Sequence, residues 1–321
     1  MDEFYPGTLM ELERQFSTEK ACEDYLLALR WPAGFRCSRC GTPKFWRAAR
    51  RRLVCAGCQK QQYLTAGTIF QDTRTSLILW FRAVWWVTSQ KNGASALGLQ
   101  RVLGLGSYRT AWTWLHKLRR AMVRPSQDRL MGRVEVDETY VGGTEAGVVG
   151  RKTVRKALVA VAAQERGEGI GRIRLRRVAD ASKPSLSRFL QDVVEPGSTI
   201  HTDDWSGYEG LSGLGYKHDV TPLKHAKKSA TALLPRVHRV ASLLKRWLMG
   251  THQGAQSKEH LDYYLDEFTF RFNRRTSRHR GKLFYRLLQQ AMEVPPAPYH
   301  SIIKHVRGPP PSSSSRCGAL A

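Results

Sequence analysis

Acidic side chains are the first scarcity in this 321-residue chain. Between Arg36 and Arg124 there is one, Asp72, against seventeen lysines and arginines. A second stretch, Arg271 to Arg286, holds seven basic residues and no acid. A short run of like charge is usually a solvated face, but acids missing over so long a span point to a polyanionic partner. The whole chain carries a formal charge of +25, with a pI near 10.3. Nucleic acid is the first candidate partner and an acidic membrane surface the second. Long apolar runs are lacking too: nothing approaches the roughly 18 residues a membrane span needs. The opening residues MDEFYPGTLMELERQF lack the basic-then-apolar pattern of a secretory signal. These absences lead us to expect a soluble protein, cytoplasmic and on DNA, with no membrane partner.

What is present supports real cores. The hydrophobic fraction is 41%, with nine Trp and eleven Phe, and the length allows two or three domains. Residues 9–30 show helical spacing through Leu9, Leu12, Phe16, Cys22, Tyr25, Leu26 and Leu29, with Ser17-Thr-Glu-Lys20 placed to cap a second short helix. Then come Cys37-x-x-Cys40, fourteen intervening residues and Cys55-x-x-Cys58. Two such knuckles match a four-thiolate zinc ribbon, whose closed tetrahedral shell makes the single zinc structural. A disulfide pair is the alternative, disfavoured in an intracellular setting. The intervening segments 44–47 and 50–54 read as ribbon strands, with Arg50, Arg51 and Arg52 facing outward toward DNA.

Residues 75–123 are mostly helical. A short helical stretch ends at Gly104-Leu-Gly106, and Ser107 caps a longer one beginning at Tyr108. Short helix, glycine turn and capped longer helix form the helix-turn-helix pattern, in which early residues of the second helix reach base edges. Tyr108, Arg109 and Thr113 are those residues here. An ordinary helical hairpin is the competing reading.

From Gly132 the pattern turns to strands. In Gly132-Arg-Val-Glu-Val-Asp-Glu-Thr-Tyr-Val-Gly-Gly143 the alternation places Glu135 and Asp137 on one face and the valines, Val134, Val136 and Val141, on the other. Further strands are expected at 156–163, 172–178 and 198–202, with helices at 183–194, 236–250 and 257–273. This order describes an α/β domain, a mixed sheet flanked by helices. Asp203 ends the fourth strand. His238 and Lys245, seven apart, share one face of the helix over 234–248. Two carboxylates and a helix-borne ligand could hold a pair of divalent metals, the arrangement that stabilises both attacking and leaving oxygens of a phosphodiester displacement. Acid pairs alone are more often caps or salt bridges; position in strand middle, strand end and helix raises this set above that reading.

These stretches resemble the bacterial insertion-sequence transposases of the DDE class, in the branch with an N-terminal zinc ribbon and an RNase H-like (ISXO2-like) catalytic domain. The resemblance rests on Val136-Asp-Glu-Thr-Tyr-Val-Gly-Gly143, His201-Thr-Asp-Asp-Trp-Ser-Gly-Tyr208, His238-x₆-Lys245 with Gly250-Thr-His-Gln-Gly254, and His260 to Arg275. It covers roughly residues 10–292, and implies cutting and joining of DNA at element ends with Mg²⁺ or Mn²⁺, two ions per site. Residue by residue, it makes Asp137 and Asp203 the first two catalytic acids and Lys245 a phosphate contact. His238 stands where a Glu is expected; an imidazole is a softer ligand, better suited to Mn²⁺ than to Mg²⁺. Glu259 and Glu267, on the next helix, are weaker substitutes.

The expected organisation is therefore an N-terminal helical segment at 1–34, a zinc ribbon at 35–72, a helix-turn-helix region at 73–126, an RNase H-like catalytic domain at 130–292 and a disordered tail at 293–321. Ribbon and helix-turn-helix would read the terminal inverted repeats. Arg271, Arg274 and Arg275 would hold the DNA backbone, and a homodimer or larger assembly would pair two ends. A DNA-binding regulator with an inactive nuclease domain and a resolvase-like nuclease are the alternatives. If DNA binding rests on this charge, affinity for a duplex falls roughly 10³-fold or more between about 50 and 200 mM salt. A fluorescence-anisotropy titration showing less than about a tenfold change over that range contradicts it.

Overall fold

The computed structural model describes residues 4–123, 128–143, 145, 153, 155–222, 230–254 and 257–304. The chain divides into two compact units. One is built from residues 1–124 and 277–321, the other from 125–276.

The first unit begins with α1 (Leu9–Gln15) and α2 (Glu19–Arg30). The Thr8 and Thr18 hydroxyls accept backbone N–H groups of their first turns, which supplies donors left over at any helix start with a partner. The ribbon is three antiparallel strands, β1 (Phe45–Ala48), β2 (Arg52–Cys55) and β3 (Gln61–Tyr63). One face of this small sheet packs Phe45, Leu53 and Cys55 with Leu27, Trp31 and Phe35. Three further helices follow, α3 (Leu77–Ser89), α4 (Ala96–Leu103) and α5 (Tyr108–Ala121). Gly104 closes α4 in the left-handed region at φ 61°, the conformation a side chain would resist.

The other helices of this unit are α10 (Arg280–Ala291) and α11 (Tyr299–Ile303). α10 was expected inside the catalytic domain and packs instead in the first unit. Phe284 meets Phe81 at 5.6 Å and Phe16 at 5.8 Å, while Trp80 stacks on Trp114 at 3.8 Å. Each such fully buried apolar side chain contributes about 1.5–3 kcal/mol, so aromatic burial decides which unit α10 joins. A Cβ on Gly281 would fall 1.7 Å from the Pro6 carbonyl oxygen, so only glycine allows the N-terminal segment this close to α10. Val294, Ala297 and Ile302, within the segment expected as a disordered tail, are buried. The remaining tail, from residue 305, lies outside the described residues.

The second unit is a five-stranded RNase H-like mixed sheet. Its strands are β4 (Arg133–Val141), β5 (Ala157–Arg166), β6 (Gly169–Val178), β7 (Thr199–Thr202) and β8 (Lys217–Val220), in the order β6-β5-β4-β7-β8. β4, β5 and β6 pair antiparallel; β4 with β7, and β7 with β8, pair parallel. β5 reads Ala-Leu-Val-Ala-Val-Ala-Ala over its buried part, the apolar run of a strand covered on both faces. Leu186, Phe189 and Leu190 of α6 (Lys183–Val193) cover one face, against Val134, Val136, Ala160 and Ala162. α8 (Pro235–His252) and α9 (Leu261–Asn273) cover the other, against Val141, Val159 and Val161; one turn, α7 (Ala230–Leu233), precedes them. β8, with the sequence Lys-His-Asp-Val, carries no apolar alternation and was not anticipated.

Glu19 ties the first unit's helices together. Its carboxylate accepts the Leu77 amide at 3.1 Å, the Ile78 amide at 3.3 Å and the Ser76 hydroxyl, and pairs with Arg51 at 3.1 Å. Partial burial alone would raise the Glu19 pKa; Ser76, the two amides and Arg51 outweigh it and hold it below the usual carboxylate value. The stabilisation is thus fully present above the ordinary carboxylate pKa and is lost as pH falls through the lowered one. Glu19→Gln is expected to cost roughly 1 kcal/mol at pH 7, the scale of a lost helix cap. The gap between variant and wild-type melting temperatures should close under acid conditions, and a gap unchanged there refutes this linkage.

Candidate active site and zinc centre

Two groups of side chains among the described residues have ligand spacing for a metal ion: Cys37, Cys40, Cys55 and Cys58, and Glu135, Glu165 and His201. The ribbon thiols fit zinc. Cys37 Sγ lies 3.5 Å from Cys58 Sγ and Cys40 Sγ lies 3.4 Å from Cys55 Sγ, close to the ~3.8 Å edge of a tetrahedron with Zn–S bonds of about 2.3 Å. The knuckles aim backbone donors at sulfur, Arg39 N–H at Cys37 and Gly57 N–H at Cys55. The Arg39 and Cys40 amides lower the Cys37 pKa, and Thr42 brings Cys40 down to about 6. Cys58 is instead pushed up to about 12: the Lys60 amide lowers it, but burial and hydrogen bonds with the other three thiols outweigh that. It is the spacing of the four sulfurs that fits a cation, which binds them as thiolates.

In the sheet domain, β4 presents Glu135 and Asp137 on the face covered by α8. Val134 and Val136 turn to the α6 side as expected, whereas Val141 lies in the same core as α8, on the acid-bearing face. Positions 137 and 141 are an even number apart, and a strand repeats every two residues. Asp137 Oδ1 accepts the Glu138 amide at 2.8 Å, and Oδ2 lies 3.7 Å from His238 Nε2. That nitrogen is buried and has no hydrogen-bond partner among the described residues. Burial lowers the His238 pKa, with Lys245 adding to it and Glu135 and Asp203 opposing, so the ring is neutral at pH 7 and offers a lone pair. Asp203, just past β7, accepts the Trp205 amide at 3.1 Å. Trp205 Nε1 in turn donates to the Ala181 carbonyl at 2.8 Å. Lys245 stands two turns along α8; desolvation and Lys156 lower its pKa while Asp137 opposes them. Buried Tyr208 donates to Glu138 at 2.7 Å, and burial, Glu138, Asp137 and Asp203 together raise its pKa.

The structure therefore brings Asp137 and His238 into contact range and sets Asp203 and Lys245 near enough to act on them electrostatically. Asp137, Asp203 and His238 do not all meet within the 4.8 Å that defines the Glu135, Glu165 and His201 group. That second group is already answered by cations. Glu135 is fully buried; it accepts the Arg236 amide at 2.7 Å, the Val237 amide at 3.0 Å and the Arg236 guanidinium at 2.7 Å. Glu165 pairs with Arg133 at 2.9 Å, and Arg133 also binds Asp219. Glu267, one of the substitute ligands, is buried against Arg271.

Two family descriptions match this chain: a transposase zinc-ribbon domain over residues 17–61 and an ISXO2-like transposase domain over 129–273. The chain carries both domains of this transposase branch. A similar protein from Halobacterium salinarum, named as an uncharacterized protein in transposable element ISH50, is 25% identical over 281 residues, covering 80% of this chain and 92% of the relative. The acid- and histidine-bearing sheet face within the transposase domain supports an active site of the polynucleotidyl-transferase kind.

Several residues expected to bind DNA have other partners. Arg51 is held by Glu19 and Glu23 and by the carbonyls of Thr73 and Thr75. Arg271 pairs with Glu267 at 2.7 Å, and Arg275 lies over Phe272 and binds the Gly171 and Ile170 carbonyls. Arg51 and Arg271 are partly buried against oxygens that are costly to abandon, and Arg275, though exposed, is held by its two carbonyls and the Phe272 ring. Arg274 lies over the Phe270 ring at 4.0 Å. Arg50 is exposed in the β1–β2 turn, and Arg52 binds Gln61 on the ribbon's outward face. Tyr108 is exposed, Arg109 sits 3.8 Å over the Tyr299 ring, and the Thr113 hydroxyl donates to the Arg109 carbonyl.

The sequence reading passed over Glu135, Glu165, His201 and Arg236 as functional neighbours. An acid two residues before Asp137, on the same buried strand face, was the available signal for Glu135; its partner lies about a hundred residues away. For the ribbon, the wild type is expected to carry one equivalent of zinc by atomic absorption, and Cys55→Ser is expected to lose it and to melt the ribbon at lower temperature. Retention of a full equivalent rules out the four-thiolate centre.

Proposed function

We propose that the protein is a DDE-type transposase that binds the terminal inverted repeats of an insertion sequence and catalyses metal-dependent cleavage and strand transfer. The observation that carries this reading is the His238 Nε2, buried and without a hydrogen-bond partner among the described residues, beside the Asp137 carboxylate on the sheet face of a matched transposase domain. Asp137, Asp203 and His238 would hold Mg²⁺ or Mn²⁺, which supplies charge stabilisation for the attacking and leaving oxygens of the phosphodiester. Asp137 is aimed by the Glu138 amide and Asp203 by the Trp205 amide, so both carboxylates are preset. Lys245, at the rim of the same helix face, would orient the scissile phosphate through its ammonium.

DNA would be gripped elsewhere on the chain. The exposed Trp46 and Tyr63, with Arg50 and Arg52, give the ribbon a face suited to nucleic acid. The α4–α5 pair, with exposed Tyr108 and Arg109 at the start of α5, supports the helix-turn-helix reading. Thr113 and Arg274 would act with them. Pairing of two ends calls for a dimer or larger assembly on DNA.

A second reading places the ion among Glu135, Glu165 and His201, favoured by their mutual spacing. Arg133 and Arg236 weigh against it, since a cation entering there meets two guanidiniums already in place. A strand-transfer assay on cognate ends decides among the alternatives. Asp137→Ala and Asp203→Ala should each lower cleavage by on the order of 10³-fold, the scale of losing an electrostatic clamp on a transferring phosphoryl group, with duplex affinity unchanged. Retained cleavage overturns the assignment. His238→Glu should raise Mg²⁺-supported activity relative to Mn²⁺; no cleavage by the wild type in either metal, with binding intact, favours a regulator, and cleavage without joining favours a resolvase-like nuclease.

A further inference from the structure

Glu135 is fully buried, yet it lies on the strand that carries Asp137 and faces the helix that carries His238. Its bonds answer a specific need. α8 starts at Pro235 after Leu234, and no side chain of its own caps it. Proline has no N–H, and the His238 amide already reaches the Leu234 carbonyl at 3.3 Å. The donors left over inside the first turn are the Arg236 and Val237 amides, and Glu135 Oε2 accepts both. Its negative charge also sits at the positive end of the helix. Oε1 takes the Arg236 guanidinium, whose other nitrogens donate to the carbonyls of Gly167 at 2.7 Å and Gly169 at 3.1 Å in the β5–β6 turn. One carboxylate thus fastens the first turn of α8 to two strands, one residue before His238.

We infer that Glu135 is a positioning residue: it caps α8 from the neighbouring strand and thereby sets His238 against Asp137. The role rests on the active-site reading above. It also accounts for the acid at 135 without making it a metal ligand, since three donors already occupy its oxygens. In a strand, side chains two apart point the same way about 7 Å apart, so a helix capped at 135 delivers its next side chain over 137. That register is what a loosened first turn would lose.

The test uses the full-length chain and Mn²⁺ alone, with affinity read by water-proton relaxation and the Arg236 and Val237 amides followed by hydrogen exchange. Glu135→Ala should weaken Mn²⁺ binding by about 10–100-fold, the usual cost of removing a group that orients a ligand, and should expose both amides to exchange. Glu135→Gln with Arg236→Gln keeps an acceptor for the two amides and replaces the ion pair by an amide pair. This double variant should restore Mn²⁺ affinity to within about threefold and restore protection. If the double variant binds Mn²⁺ as poorly as Glu135→Ala while its amides stay protected, the Glu135 carboxylate is itself a ligand and the inference is overturned. If Glu135→Ala folds, loses amide protection and binds Mn²⁺ unchanged, Glu135 is merely structural and the inference is again overturned. A wild-type protein that binds no Mn²⁺ removes the active-site reading itself, and the inference with it.

Discussion

A carboxylate buried in the middle of a sheet must be answered by donors, and for Glu135 those donors are the first turn of α8. An isolated charge there would cost several kcal/mol of desolvation; two amides and a guanidinium remove that cost and fasten helix to strand. The candidate site follows from this attachment. Asp137 is two residues along β4, His238 is the next residue along α8, and the 3.7 Å between them is set where strand and helix are joined. The apolar contacts of Val237, Val240 and Leu244 with Val159 and Val161 hold the rest of α8 on the sheet but could tolerate small slides along it. Hydrogen bonds to named amides cannot.

The same device appears in the other unit. Glu19, at the start of α2, accepts the first amides of α3 and holds Arg51 of the ribbon turn. In both places an acid from another element accepts first-turn amides of a helix, alone at α8 and beside the Ser76 cap at α3. A chain so poor in acids spends several of them internally. Glu19, Glu23, Glu135, Glu165 and Glu267 all face arginines within the fold. Each such pair withdraws an arginine along with its acid, so the excess of positive charge is left largely to the other basic residues. Arg51 and Arg271 are withdrawn into ion pairs and Arg275 is tied to two carbonyls, while Arg50 and Tyr108 stay exposed.

Sequence patterns were most legible where one short rule governs the outcome. Cysteine spacing placed four thiols at tetrahedral separation, and period-two alternation put Glu135 and Asp137 on one face. Helical periodicity brought out α8 to within a few residues. Patterns failed where burial depends on a distant partner. Residues 277–292 were grouped with the catalytic domain with no helix assigned to them, and only the contacts of Phe284 with Phe16 and Phe81 place α10 in the first unit. β8 has no apolar signature because it is a short edge strand whose main-chain bonding to β7 does the pairing. Val141 was grouped with the other valines by residue type, whereas the pleat groups it with the acids.

By itself, then, the sequence determined the zinc-ribbon spacing, the basic character, the strand bearing Asp137, the strand end bearing Asp203 and the helix face shared by His238 and Lys245. Each is a local property, readable over one or two turns of helix or a few residues of strand. Tertiary structure alone decided which arginines are free, where α10 belongs and how close His238 comes to Asp137. Those outcomes depend on pairs such as Glu135 with Arg236, separated by about a hundred residues and meeting only because two faces of a sheet must each be covered. No local pattern encodes such a meeting, since the energy that selects it comes from burying both partners at once.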